Sequence, residues 1–251
     1  SKKLFTKYYG ETIFQKTLNY YSIAVESKVN FNQYKKFLKK NKLYNKIVKK
    51  FLPNKMINET ILTNEKILNY FSFKKIISKK VKNSKLKIEL NKQFKKSFLK
   101  NYDKIIVTAY SNNNKILENL GVKKLDDFKF ELVEKIVIKL PQKYVNKSFV
   151  VIDGKFVCVD PYLGTNYHLL SDVKLSKLET KIGKFPIFRN KNKKFLNKGI
   201  IKNIKISRFK AFIKRSSIYL PFLNEAKYVG SMFVVRAIKK NKENTDERTS
   251  T

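Results

Sequence analysis

The sequence has few glycines and prolines and very few arginines. Its 251 residues include 7 glycines, 5 prolines, one cysteine and no tryptophan. The 57 basic residues include only five arginines and therefore 52 lysines. The planar guanidinium group binds phosphate and guanine through paired hydrogen bonds, so a surface built for nucleic-acid recognition usually carries many arginines. The scarcity of arginine therefore counts against that role.

The formal net charge is nevertheless +38, which would ordinarily suggest phosphate-bearing partners. The lysines run along the whole chain and do not concentrate in one block. The abundant residue types, Lys, Asn, Ile, Phe and Tyr, all have A/T-rich codons, so we favour genomic base composition over a nucleic-acid role as the origin of the charge. A lysine-rich nucleic-acid-binding module stays open as the alternative. Under either interpretation the charge predicts nonspecific binding of polyanions at low salt.

Other scarce or missing features indicate the cellular compartment and exclude a zinc site. The single Cys158 excludes an internal disulfide framework and fits a reducing cytosol. No apolar run approaches about 18 residues and the start lacks a signal-peptide core, so we expect a cytoplasmic protein without a membrane span. His168 is the only histidine, and one histidine with one cysteine cannot form a zinc site. We therefore expect no metal, and we expect His168 to be structural or exposed.

The first half of the chain alternates helical and strand patterns. Residues 20–25 read as a strand, and a helix follows with Asn32 as its cap. From Asn69 the apolar spacing predicts an amphipathic helix of about three turns. Residues 86–90 then alternate apolar and charged, which predicts a strand, and the wholly apolar run 105–107 predicts a strand buried on both faces.

After Gly121 the sequence predicts short strands separated by turns. Apolar runs begin at Phe149, at Phe156 and at Tyr167, and Asp153-Gly154 is a hairpin signal between the first two. A helix from Ser207 should stop at Pro221, and residues 228–236 form a last strand. The predicted fold class is α/β, α+β overall, with an antiparallel layer in the second half.

This order resembles the D-amino-acid oxidase-like family of FAD-dependent amine and amino-acid oxidoreductases. The resemblance implies a partial FAD-binding, Rossmann-like sheet joined to an antiparallel substrate-domain sheet. It is carried by residues 85–98, 102–122, 149–170 and 206–236.

The resemblance implies FAD as cofactor and a set of residues that bind it. Phe94 lies near the point where the family contacts the adenine side of FAD. The turn beside the flavin matches Thr108, Ala109, Tyr110 and Ser111, and the last two stand where the family usually has glycine. The glycine-rich dinucleotide-binding motif Gly-x-Gly-x-x-Gly does not occur in the sequence, so the resemblance places it before Ser1.

The resemblance also implies substrate-binding residues but no catalytic side chain, because the cofactor does the difficult chemistry. Arg236 matches an arginine that faces a substrate carboxylate, and Tyr162 and Tyr167 lie on the substrate side. The alternatives are a surface charge for Arg236 and simple packing for both tyrosines.

The domain organisation and the activity follow from the same resemblance. Residues 1–122 would be a partial FAD-binding region, with strand 20–25 in the substrate layer. Residues 123–240 would be the substrate-binding layer with a covering helix, and 241–251 a tail. The function implied is oxidation of an amine, amino acid or related small acid by hydride transfer to flavin. We expect an internal fragment that is inactive alone.

Overall fold

The computed structural model describes residues 2–48, 54–152, 154 and 156–240, which form a mixed α/β fold. This confirms the predicted fold class. The α-helices are α1 (Lys2–Tyr9), α2 (Phe31–Lys40), α3 (Tyr70–Lys82), α4 (Asn113–Asn119), α5 (Asn190–Lys193) and α6 (Phe209–Ser216). The strands are β1 (Phe14–Lys16), β2 (Leu18–Ala24), β3 (Tyr44–Ile47), β4 (Ile57–Thr63), β5 (Lys66–Leu68), β6 (Phe128–Lys139), β7 (Lys147–Ile152), β8 (Val157–Tyr162), β9 (Tyr167–Asp172), β10 (Lys177–Gly183) and β11 (Lys227–Lys239).

The chain divides into two compact units, each assembled from three separated segments. The first unit takes its residues from 1–86, 135–176 and 202–231, and the second from 87–134, 177–201 and 232–251. The boundary between 122 and 123 stays a prediction, and the tail 241–251 lies outside the described residues. Among the described residues no helix is long and apolar enough to cross a membrane.

The first unit is built on a mixed sheet whose strand order is β6–β9–β8–β7–β2–β4–β3. β2 and β7 pair parallel, with Tyr20 opposite Phe149, and the neighbouring pairs are antiparallel. A separate small sheet pairs β1 with β5 antiparallel. The antiparallel order β7–β8–β9 confirms the predicted meander. Asp153 lies outside the described residues, so its turn stays a prediction.

One face of this sheet forms the core of the first unit. Alternate side chains of the strands are buried there, because successive residues of a strand point to opposite faces. Phe212 of α6 packs on them and is fully buried. The core of this unit includes Tyr20, Leu62, Ile136, Ile138, Phe149, Val151, Val157, Val159, Leu170, Leu220 and Leu223.

The starts of α2 and α3 follow from side-chain caps. Asn69 accepts a hydrogen bond from the Ser72 amide at 3.1 Å and begins α3 where the sequence predicts it. α2 begins one residue after Asn30, so the prediction that Asn32 caps it is wrong. The Asn30 side chain accepts from the Gln33 amide and the Gln33 side chain accepts from the Asn30 amide, both at 2.9 Å. This reciprocal pair satisfies two amides that have no partner inside the helix.

The second unit contains β10 paired antiparallel with the first half of β6, so that Lys181 lies opposite Phe130. β11 also pairs with β6, and an isolated bridge joins Leu196 to Phe233. Phe130 and Leu132 are almost fully buried in this unit.

Two predicted strands are absent from the described structure. Residues 86–90 and 105–107 have no strand assignment. Leu90 is 80% exposed and Ile106 is 86% exposed. Both predictions are wrong because an apolar pattern, whether alternating or continuous, forms a strand only when a neighbouring strand pairs with its backbone. No strand of the described chain does so here.

Candidate functional site

A polar face lies on the side of the first unit's sheet that is opposite the core. In β8 the side chains of Val157 and Val159 enter the core, so Cys158, Asp160 and Tyr162 point to the other face. These three residues are partly buried. The alternation of apolar and polar residues in β8 is the sequence signal for this face.

Asp160 is the centre of a hydrogen-bonded group on that face. The Ser148 hydroxyl donates to Asp160 Oδ1 at 2.7 Å, and the Cys158 thiol donates to Asp160 Oδ2 at 2.9 Å. Within the described residues no lysine or arginine nitrogen lies within 4.0 Å of this carboxylate. The carboxylate is therefore held by neutral donors in a protein of net charge +38.

Burial keeps the thiol beside Asp160 protonated at neutral pH. It raises the pKa of Cys158 well above the usual range, and the negative charge of Asp160 raises it further. The charge of Lys135 acts in the opposite direction, and its ammonium donates to the Ser171 hydroxyl at 2.8 Å. Since the thiolate is the nucleophilic form, Cys158 acts here as a hydrogen-bond donor.

A second carboxylate on this side belongs to Glu65, which accepts a hydrogen bond from the Tyr21 hydroxyl. Tyr21 lies beside Val150 of β7, which in turn lies beside Cys158, so Tyr21 and Cys158 share a face. Burial raises the pKa of Tyr21, and its hydrogen bond to Glu65 raises it further. Tyr21 thus stays a neutral donor. The sequence did not single out Ser148, Tyr21 or Glu65.

Tyr162 and Tyr167, both predicted to bind substrate, are brought together in the first unit. They are opposite one another in the β8–β9 register. Both are partly buried on the Asp160 face, and the Tyr162 ring centroid lies 5.9 Å from that of Phe71 in α3. Their role in substrate binding stays a prediction.

His168 lies on the core face of the same sheet. Its side chain is buried, and Nε2 donates to the Tyr144 carbonyl at 3.1 Å, because a carbonyl oxygen only accepts. Burial lowers the pKa of His168 more than the hydrogen bond to Tyr144 raises it. His168 is a neutral structural residue, as the sequence led us to expect.

The remaining predicted residues lie in the second unit. Arg236 Nε donates to Glu131 Oε2 at 2.8 Å, and Nη2 donates to the same oxygen. The Glu131 side chain is fully buried, and Lys177 Nζ lies 2.9 Å from its other oxygen. Arg236 therefore neutralises a buried carboxylate. Its predicted contact with a substrate carboxylate stays a prediction.

Tyr110 adopts a backbone conformation that glycine reaches more easily than other residues. Its φ is +52°, in the left-handed region, and its hydroxyl accepts a hydrogen bond from the Ala237 amide at 3.1 Å. The resemblance noted in the sequence implies glycine at this position. Thr108 is exposed, whereas Ala109 and Ser111 are partly buried beside it. Their contact with a cofactor stays a prediction.

Phe94, predicted to lie near the adenine side of FAD, lines a pocket of about 310 Å³ in the second unit. Phe98, Tyr102, Lys92 and Lys104 line the same pocket. Aromatic rings and ammonium groups suit a planar ring and an anionic group, respectively.

The fold is similar to that of a known oxidase. Glycine oxidase from Geobacillus kaustophilus matches with a TM-score of 0.62 and 10% sequence identity, over 98% of this chain and 67% of the oxidase chain. No family model matches the sequence, and no curated protein matches it. At this identity the similarity shows the fold alone.

The chain's residues fit one part of FAD. The pocket at Phe94 has the ring and charge chemistry that a base with a phosphate needs. The glycine-rich loop that lets a pyrophosphate approach a helix N-terminus does not occur in the sequence, whose seven glycines are scattered. The pyrophosphate part therefore has no matching loop in this sequence.

Proposed function

We propose that the chain is part of an FAD-dependent oxidoreductase acting on an amine, amino acid or related small acid. The observation that carries this proposal is the similarity in fold to a glycine oxidase over 98% of the chain. The residues on the polar face of the first unit support it, since they offer both hydrogen-bond donors and a carboxylate. Nothing in the comparisons supports a nucleic-acid-binding module.

The cofactor would be held in the second unit. Phe94 would contact the adenine side, and residues 108–111 would lie beside the flavin. Bound FAD supplies the acceptor for the hydride that the substrate carbon loses. The left-handed backbone at Tyr110 supports this placement, because it keeps the conformation that glycine would adopt in the family's turn.

The substrate would be oriented on the Asp160 face. The Asp160 carboxylate would accept hydrogen bonds from the substrate nitrogen, and the Tyr162 and Tyr167 hydroxyls would donate to its oxygens. Ser148 and Cys158 hold the Asp160 carboxylate in place by donating hydrogen bonds to it. Holding the substrate in one orientation is how such a site contributes to rate.

The role of Arg236 is a separate proposal, confined to the second unit. Its guanidinium has five N–H donors, and the hydrogen bonds to Glu131 come from Nε and Nη2. In this alternative the substrate carboxylate would bind to the remaining donors of Arg236 and not to the two tyrosines of the first unit. Arg236→Lys keeps the charge but loses the planar fork, so it should raise KM with little change in kcat.

The test is to express the complete reading frame that encodes this chain, supply FAD and record the visible absorption spectrum. A bound flavin whose absorbance bleaches on anaerobic addition of an amine or amino acid is expected. Asp160→Asn should slow the bleaching, while Asp127→Asn in the second unit serves as the matched control. A protein that binds no flavin in any form would refute the proposal.

A further inference from the structure

Lys135 is a charged residue of the first unit that the proposed substrate contacts do not use. It lies in β6 directly before Ile136, which is opposite Leu170 of β9. Its Nζ donates to the hydroxyl of the next β9 residue, Ser171, at 2.8 Å. Ser171 is in turn opposite Cys158 of β8. Opposite residues of neighbouring strands point to the same face, so the Lys135 ammonium belongs to the polar face that carries Asp160.

Lys135 and Ser171, which we call the donor pair, have hydrogen-bonding capacity left over. Both residues are partly buried. An ammonium group has three N–H donors, of which Lys135 uses one on the Ser171 hydroxyl. That hydroxyl accepts the bond, so its own proton can be donated elsewhere. Among the described residues no carboxylate oxygen lies within 4.0 Å of Lys135 Nζ. The donor pair can therefore bind an anion.

Asp160 lies between the donor pair and two tyrosines. Along β8, Cys158 comes two residues before Asp160 and Tyr162 comes two residues after it. Cys158 is opposite the serine of the donor pair, and Tyr162 is opposite Tyr167. Since residues two apart in a strand share a face, the polar face presents three groups in order along the strands. These groups are the donor pair, the Asp160 carboxylate and the tyrosine pair.

The spacing between the donor pair and Asp160 limits the size of the ligand. Ser171 and Asp160 are diagonal neighbours on adjacent strands, and the Cα atoms of such neighbours are about 7–8 Å apart. The Lys135 ammonium is held at Ser171 and makes no direct ion pair with Asp160. A charge-assisted hydrogen bond of about 2.8 Å at each end leaves room for the skeleton of one small amino acid between them.

We propose that the donor pair binds the second carboxylate of an acidic amino acid, such as aspartate or glutamate. Asp160 holds the amine of this molecule, and the tyrosine pair holds its other carboxylate. The arrangement of the face selects this class, because one carboxylate stands between two sets of hydrogen-bond donors. The inference rests on the proposed function, from which it takes the positions of the amine and of the first carboxylate.

The test measures the binding of aspartate, glutamate and alanine, in both enantiomers, to the full chain by calorimetry. At about 150 mM salt the attraction to distant lysines is screened. One acidic amino acid should bind about ten- to a hundredfold more tightly than alanine, the gain that hydrogen bonds to a charged group imply. Lys135→Gln should remove this preference and leave alanine binding nearly unchanged, and Ser171→Ala should reduce the preference less. Lys139→Gln is the matched control, because Lys139 is an exposed lysine of the same strand.

Acidic amino acids that bind no more tightly than alanine, or that do not bind, would overturn the inference. So would a Lys135→Gln variant that weakens acidic and neutral amino acids equally, since a purely structural lysine would have that effect. The proposed function fails separately. Selective binding of an acidic amino acid by a protein that carries FAD but does not oxidise it would refute only the proposed function. Oxidation of neutral and acidic amino acids without preference would refute only the role of the donor pair.

Discussion

The Cys158 thiol donates to the Asp160 carboxylate at 2.9 Å, two residues along the same strand. Residues at this spacing share a face of a sheet, so strand geometry alone brings the two side chains together. The contact places the chain's only cysteine next to the carboxylate at the centre of the polar face.

Replacing Asp160 should change the acidity of this thiol. Burial is the larger cause of the raised pKa of Cys158 and the charge of Asp160 is the second. Asp160→Asn should therefore lower the thiol pKa but leave it above the ordinary value. The rate at which iodoacetamide alkylates Cys158, followed as a function of pH, measures the thiol pKa, because the sequence contains no other cysteine. An unchanged profile would show that the charge of Asp160 has no effect on the thiol, and Asp127→Asn serves as the control.

Removing the buried charge of Glu131 should destabilise the second unit. Glu131→Gln leaves Arg236 and Lys177 without the carboxylate that they share. Breaking a fully buried pair costs about 3–5 kcal/mol, but the Arg236 side chain is 49% exposed, so we expect on the order of 2 kcal/mol. Urea unfolding measures this loss of stability. The control is Lys181→Gln, which removes an exposed charge on β10 and should change the stability little. Equal stability of both variants would contradict a stabilising pair.

The stability of the protein should fall as the pH drops through about 6.5, the pKa of histidine in an unfolded chain. The folded-state pKa of His168 is lowered, so between the two values the unfolded chain binds a proton that the folded chain does not. Stability is full above about pH 6.5 and is lost below it by at most about 1.4 kcal/mol per pH unit.

His168→Gln tests this, since its amide still donates to the Tyr144 carbonyl but does not titrate. Urea midpoints at about pH 7.5 and about pH 5.5 should differ less in the variant than in the native protein. The same pH dependence in both proteins would assign it to other groups.

At position 110, glycine should give a more stable protein than alanine. Both substitutions remove the hydroxyl, so their difference reports the left-handed backbone at φ +52°. Tyr110→Gly should be more stable than Tyr110→Ala by about 1 kcal/mol. At Lys115, an exposed position inside α4, the alanine variant should instead be more stable than the glycine variant by a similar amount. Thermal unfolding of the four variants measures both differences, and the same order at both positions would refute the strained conformation.

The sequence singled out two of the residues that lie on the Asp160 face. The structure places Tyr162 and Tyr167 opposite one another, and their role in substrate binding stays a prediction. Ser148, Tyr21 and Glu65 were not found, because they lie on separate strands and turns. The register of β2, β7 and β8 brings Ser148 and Tyr21 to the face that holds Asp160, and the hydrogen bond from Tyr21 holds Glu65 beside them.

The sequence by itself determined the elements whose pattern is local. The meander β7–β9, the start of α3 at Asn69 and the strand β11 follow from side-chain alternation, capping and turn residues within a few positions. Tertiary structure decided which apolar segments become strands. Residues 86–90 and 105–107 carry strand patterns, yet neither gains a partner in the described chain. A strand needs hydrogen bonds from a partner strand, and when no short turn supplies that partner the sequence pattern does not specify whether one lies alongside.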